Sequence, residues 1–334
     1  MTSGRPGGVI DVHVHIHPRQ ADLARAVMEA SGLVGFVNLG ILERLDIPFD
    51  EGMRAFRKVF GERMAYFTTP NFRDTRPGFG ERMASDLARK VEMGASGLKI
   101  FKELGLRHCD GEGSLIPVDD PRLDPLWAMA GELGVPVLIH TADPLAFFEP
   151  LDEHNERREE LALHPDWHFF GPEFPGHDEV LAQRNHVLER HPRTIFIGAH
   201  LGEYPERLDY VDACLERYPN FNVDTSARIG EIGRHPAADA RAFFVKHAGR
   251  ILFGSDLLYG WNAAGAADAG ESISESERFY EMHWRFFETD ERQIEHPGYP
   301  VAGPWKVDAI GLPADVLQKL YLGNAQRLIP ALRG

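Results

Sequence analysis

Residues 10–18 read Ile-Asp-Val-His-Val-His-Ile-His-Pro. Imidazoles alternate here with β-branched residues, and a strand has a side-chain period of two. The pattern predicts that His13, His15 and His17 share one strand face while Ile10, Val12, Val14 and Ile16 share the other. Neighbouring imidazoles make poor core and good ligands for a divalent ion. A polar surface strand is the alternative, and the apolar back face argues against it. Three further apolar runs end on comparable chemistry: 135–140 on His140, 195–200 on His200 and 251–256 on Asp256. Neutral imidazoles and a carboxylate suit Zn²⁺ or a similar ion, which lowers the pKa of bound water to about 7 and polarises a carbonyl. A His or Asp beside it moves the proton. Gly198 and Gly254, next to two of these ends, are expected to leave room for the ion.

These residues need a frame that brings four strand ends together. Short apolar, β-branched segments recur at 9–15, 35–39, 64–71, 97–102, 136–141, 194–201, 221–227 and 250–256. Helix-period segments lie between them at 22–31, 49–60, 80–93, 121–133, 205–218 and 236–248, with a last one at 313–328. Several open on proline and close on glycine, the expected asymmetry of helix ends. Repeated strand–helix alternation predicts an α/β fold, a (β/α)8 TIM barrel, whose strand C-termini face one mouth. A doubly wound open sheet is the rival, but no GxGxxG or Walker sequence follows any strand.

Two stretches break the rhythm, about 142–178 and about 257–311, and are expected as long loop insertions after strands 5 and 8. Both are rich in aromatics, among them Phe147, Phe148, Trp167 and Phe169 in one and Tyr259, Trp261, Tyr280 and Trp284 in the other. They are read as walls of a substrate pocket, satellite cores or a subunit contact. Residues 1–8 are expected as a disordered lead-in and 9–334 as a single barrel domain.

Composition narrows the function. The chain has 334 residues, 43% apolar content and a net charge of -15, which disfavours a nucleic-acid surface. Cys109 and Cys214 form no CxxC pair, so a reducing, cytoplasmic setting is expected. No apolar run approaches the ~18–20 residues that span a bilayer. The expected partner is a small-molecule substrate, with neither nucleic acid nor membrane, and self-association stays open.

The order His13-X-His15, His140, His200 and Asp256 at strands 1, 5, 6 and 8 resembles the amidohydrolase superfamily of metal-dependent barrels. The strand contexts, and Tyr321-Leu322-Gly323-Asn324-Ala325 before Arg327-Leu328, resemble its amidohydrolase-related branch. That branch holds the aminocarboxymuconate-semialdehyde decarboxylase-like and pyrone-dicarboxylate lactonase-like enzymes. The resemblance spans roughly residues 9–330 and leaves the two long stretches aside. It implies that His13, His15, His140 and Asp256 bind one divalent ion, zinc first and manganese second. It also implies that His200 is an acid/base or substrate-polarising group and that Asp256 accepts a proton from water.

In the phosphotriesterase-like branch a fourth-strand lysine is carboxylated and bridges two metals. Lys99 could do that here, or remain an ammonium that meets a substrate carboxylate. Arg228, Lys102 with Glu103, and His17 are weaker candidates for substrate contact, and Asp224 and Ser226 could orient ligands from behind. The expected function is a metal-dependent hydrolase acting on an amide, ester or lactone of a small carboxylate-bearing molecule. The alternative on the same ligands is non-oxidative decarboxylation of a small aromatic or unsaturated acid. A metal-binding scaffold without catalysis is the third reading.

Overall fold

The computed structural model describes residues 7–259 and 269–333. Most of the expected lead-in, residues 1–6, and Trp261 lie outside them.

The strands are β1 (Val9–Ile16), β2 (Leu33–Leu39), β3 (Met64–Thr68), β4 (Gly97–Ile100), β5 (Val137–Ile139), β6 (Phe196–Gly198), β7 (Phe221–Asp224), β8 (Ile251–Leu252) and β9 (Leu257–Tyr259). They pair in the order β8-β7-β6-β5-β4-β3-β2-β1-β9, every pair parallel. β8 and β9 belong to one stave. Its first part pairs with β7 and its last part with β1. Between them Val12 N–H donates to Phe253 O at 3.0 Å and Asp256 N–H to His13 O at 2.8 Å. The sheet therefore closes on itself as an eight-staved TIM barrel.

Helices Ala21–Ala30, Phe49–Phe60, Phe79–Glu92, Asp124–Leu133, His177–Arg190, Leu208–Arg217, Ala237–Lys246 and Ala269–Glu288 follow the staves in turn. Most apolar side chains fill the layer between strands and helices. A second cluster fills the barrel interior, where Ile10, Val12, Leu138 and Leu252 meet Leu322, Leu328 and Leu332 of the C-terminal segment. Asn324 Nδ2 donates to Ile251 O at 2.7 Å. This segment therefore closes the barrel at its N-terminal end.

Period two does not hold through β1. Asp11 pairs with Phe36 and Val14 with Asn38, so β1 carries one extra residue there. This is a β-bulge, and it turns the following side chains to the opposite face. Ile10 and Val12 consequently face the barrel interior, whereas Val14 and Ile16 join the outer layer. Alternation with the inward Ile10 and Val12 already sets Asp11 outward, and the bulge then brings His13 and His15 inward.

The expected loop stretches contain regular elements. Helix His177–Arg190 begins at the end of the first, and β9 and the 20-residue helix Ala269–Glu288 lie within the second. In the first helix the apolar stripe is interrupted by Arg184, which is fully buried against Glu203. In the second the buried apolar residues gather in its second half, Tyr280, Trp284, Phe286 and Phe287.

Asp11 packs between the barrel and this last helix. Its carboxylate accepts from His13 N–H, from Ser255 N–H and Oγ–H, and from Tyr280 OH. Burial pushes its pKa from 3.8 up to about 6, against the pull of these donors. The fold favours the protonated form, so this stability is full below pH 3.8 and is lost as pH rises through 6. The span amounts to about 3 kcal/mol. Urea unfolding from pH 3.5 to 7 should show the wild type losing about that much relative to Asp11→Asn. Parallel curves would contradict it.

Candidate metal centre at the barrel mouth

Three imidazoles at the mouth, those of His13, His15 and His200, are each held from behind through Nδ1. His13 Nδ1 lies 2.8 Å from Asp224 Oδ2 and 2.9 Å from Ser226 Oγ. His15 Nδ1 lies 3.0 Å from Leu39 O, and His200 Nδ1 lies 2.9 Å from Ser226 O. A carbonyl only accepts, so Nδ1 of His15 and of His200 carries the hydrogen and Nε2 carries the lone pair. His13 Nε2 and His15 Nε2 approach Asp256 Oδ1 at 3.4 and 3.3 Å. His13, His200 and Asp256 each offer one ligand atom, all within 4.8 Å of one another, so together they could hold a metal ion. His140 meets this group through its ring, 4.4 Å from that of His200 and edge-on. Its Nε2 is 3.3 Å from Asp143 Oδ1.

The backbone aims two of these groups. Asp256 has φ +67°, and the chain turns there between β8 and β9. After β6 the chain runs through His200, Leu201, Gly202 and Glu203 with φ of +54°, +56°, +66° and +66°. Left-handed geometry at a non-glycine residue costs roughly 1–2 kcal/mol, so surrounding contacts must hold it. The two glycines expected to make room for an ion serve the packing instead. A Cβ on Gly198 would meet the Phe221 ring at 2.6 Å, and one on Gly254 would meet His13 Cβ at 3.0 Å.

Burial sets the charge states. It lowers the pKa of His140 to about 4, that of His15 below its usual value and that of His200 well below it. Burial alone would raise the Asp256 carboxyl, but the imidazoles of His13, His15 and His200 more than offset this and hold it well down. At neutral pH the mouth therefore presents basic nitrogens and an ionised carboxylate to one another. That arrangement gathers nitrogen and carboxylate oxygen donors in one space, as a divalent cation needs.

The structure places the other expected residues unevenly. Lys99 is fully buried with no hydrogen-bond partner on Nζ, which lies 5.0 Å above the Phe101 ring. Burial lowers its pKa to about 8, while Asp256, Asp224, Glu203 and Glu103 hold it from falling further. Lys102 and Arg228 converge on Asp143: Lys102 Nζ pairs with Oδ2, and Arg228 Nη2 lies 3.5 Å from Oδ1. Trp167 and Phe169, from the aromatic stretch after β5, lie 4.7 and 5.5 Å from Lys102 Nζ. His17 is not brought to the group, because its Nδ1 accepts from Arg19 N–H and caps the turn after β1. Asp224 and Ser226 stand behind His13 and His200. Asp143 was not singled out in the sequence, although its place three residues after His140 was a signal. Glu203, at the end of the left-handed turn, carried none.

The Phe101 ring also floors a cavity of about 590 Å³ above β2, β3 and β4, lined in part by Arg44, Phe49, Phe72, Arg73 and His108. The ring lies 5.9 Å from that of His15.

Comparison with known proteins agrees with this picture. The family described as amidohydrolase matches residues 69–331, and the chain belongs to it. The family depends on divalent metal ions and its members are enzymes, as is this chain. Among solved structures, a probable 2-pyrone-4,6-dicarboxylic acid hydrolase from Acinetobacter baumannii, with citric acid bound, superimposes with a TM-score of 0.50 at 11% identity, covering 97% of this chain and 99% of that one. The 5-carboxyvanillate decarboxylase of Sphingomonas paucimobilis gives 0.49 at 14% identity, with the same coverage. A zinc-bound amidohydrolase from Burkholderia multivorans gives 0.46 at 14%, again covering 97% and 99%. No curated protein matches the chain.

Burial keeps His140 neutral. A depressed pKa opposes proton uptake, so this group's contribution to stability is full above pH 6.5 and is lost as pH falls through 4. In metal-free protein the His140 ring should titrate by NMR with a midpoint near 4. A midpoint at 6 or above would contradict burial as the governing cause.

Proposed function

We propose that residues 9–334 form one metal-dependent hydrolase barrel whose mouth holds a single divalent ion, zinc by preference. His13, His15, His140 and Asp256 are the ligands. The observation that carries this reading is the set of inward lone pairs. Nδ1 of His13 and of His15 is engaged behind the ring, each Nε2 is turned to Asp256, and the carboxylate is ionised. Such a donor set fits a borderline cation that takes nitrogen and oxygen ligands. When bound, the ion supplies Lewis acidity and lowers the pKa of water beside it.

The chain's own groups supply the rest. Asp256, its side chain 29% exposed, accepts the proton of the attacking water and returns it to the departing group. His200 presents its Nε2 lone pair to the same space and takes the second water proton as the carboxylic acid product ionises, passing it to solvent. Lys102 and Arg228, two cations against the single carboxylate Asp143, leave one positive charge to attract a substrate carboxylate. The substrate is a small carboxylate-bearing amide, ester or lactone. The unpaired Cys109 and Cys214 support a reducing, cytoplasmic setting. Among the described residues no helix is long and apolar enough to cross a membrane.

Two specific observations favour second readings. His200 belongs to the compact group with His13 and Asp256, while His140 Nε2 faces Asp143, which supports His200 as a ligand in place of His140. Lys99 Nζ is buried without a partner, which supports its carboxylation as a bridge between two ions. Decarboxylation remains the alternative reaction, because it uses the same ligands.

The test is turnover of lactone, ester and amide panels, and of hydroxybenzoates, in ¹⁸O-labelled water. The wild type should incorporate solvent oxygen into a carboxylate product, and His13→Ala should fall below detection. Carbon dioxide release without oxygen incorporation would replace hydrolysis by decarboxylation. Unchanged turnover in His13→Ala would sink both.

A further inference from the structure

Behind the mouth lies a pair of charges that the proposed chemistry does not use. Arg184 and Glu203 are both fully buried, with Arg184 Nη1 3.1 Å from Glu203 Oε2. The two sit on different elements: Arg184 in the middle of helix His177–Arg190, and Glu203 at the end of the left-handed turn after β6. Removing two charges from water is costly, and a pair buried this way often adds little to stability over an apolar replacement.

The contacts of Glu203 point to a more specific role. One carboxylate oxygen accepts from Thr141 N–H and the other from Thr141 Oγ–H at 2.5 Å. Thr141 directly follows His140. Glu203 N–H donates to Ala199 O and to His200 O, each at 3.1 Å. Its own carbonyl accepts from His177 Nε2 at 3.1 Å, and Arg184 Nη1 also donates to Gly202 O at 2.5 Å. The side chain of Glu203 therefore fixes the backbone one residue beyond His140. Its main chain fixes the turn that carries His200. Four successive left-handed residues, three of them with a Cβ, do not persist without such restraint.

We propose that Glu203, held by Arg184, is a positioning residue that sets the spacing and aim of His140 and His200 at the mouth, and through them the geometry of the bound metal. The inference rests on the metal-centre reading above. It goes beyond that reading by assigning the geometry to a buried ion pair on the outer layer of the barrel. Burial pushes the Glu203 carboxyl above its usual value, and Arg184 and the Thr141 donors keep it from rising further.

The test uses Co²⁺ in place of zinc, because its visible spectrum reports coordination geometry whether or not the enzyme turns over. Wild type, Glu203→Gln, Thr141→Val and Lys90→Met are compared by chelator competition, absorption spectrum and melting temperature. Lys90 is the control. It is a nearly buried lysine paired with Glu43 and Asp86, at 3.1 and 2.9 Å, and neither pair involves a proposed ligand. Glu203→Gln should lower Co²⁺ affinity roughly ten- to a hundred-fold, the usual effect of losing an orienting group behind a ligand, and should change the spectrum. Thr141→Val, which keeps the shape and removes one donor, should show the same change to a smaller extent. Lys90→Met should melt earlier with an unaltered spectrum.

If Glu203→Gln melts earlier but keeps wild-type affinity and spectrum, Glu203 is merely structural and the proposal is wrong. If Glu203→Gln does not fold, Thr141→Val decides on the same terms. If the wild type itself binds no Co²⁺, the metal-centre reading fails and takes this inference with it. A binding wild type with an indifferent Glu203→Gln overturns the inference alone.

Discussion

The arrangement of the mouth depends on one buried carboxylate, Asp224 at the end of β7. Its Oδ2 receives His13 Nδ1 from β1, and its Oδ1 receives the His200 backbone N–H from the turn after β6. Ser226 N–H also donates to Oδ1. One side chain thus ties together three staves, and two of them, β1 and β7, are not hydrogen-bonded neighbours. Only a closed barrel brings them near enough. Burial would raise the Asp224 pKa, but His13 and the Ser226 donors hold it down. The ionised group in turn turns His13 Nε2 toward the mouth. Asp224 repeats the carboxylate–histidine relation by which proteins orient metal ligands and strengthen them as donors.

Much of this was legible in the residues themselves. The alternation of β-branched runs with helix-period segments is enough to call for a barrel, because parallel strands need crossover helices and the apolar runs have no polar face. The strand-end residues His140, His200 and Asp256 follow from the same pattern, since a barrel gathers strand C-termini at one end. Asp224 and Ser226 were legible by parity on β7.

What was hidden depends on geometry that period two and period 3.6 do not encode. The extra residue in β1 inverts which side chains face inward, so Ile10 and Val12 leave the face of Val14 and Ile16. The turn at Asp256 splits the last stave between β7 and β1. Helix His177–Arg190 is masked because a buried Arg184 looks polar until Glu203, 19 residues on, is seen beside it. Asp143 escapes for a related reason. Its partners Lys102, His140 and Arg228 come from three separate loops, and only the fold makes them one cluster. In each case a long-range pairing overrides a local pattern.

The central claim is that imidazole and carboxylate donors at the mouth are held in place to receive one cation. The most direct measurement is metal content per chain, by elemental analysis of protein purified without chelator or metal-binding tag. It should be compared between the wild type and Asp256→Asn. The account predicts about one divalent ion per wild-type chain and a large loss in the variant. Two ions per chain would move Lys99 into the centre. No metal, even after adding zinc back, would contradict the account.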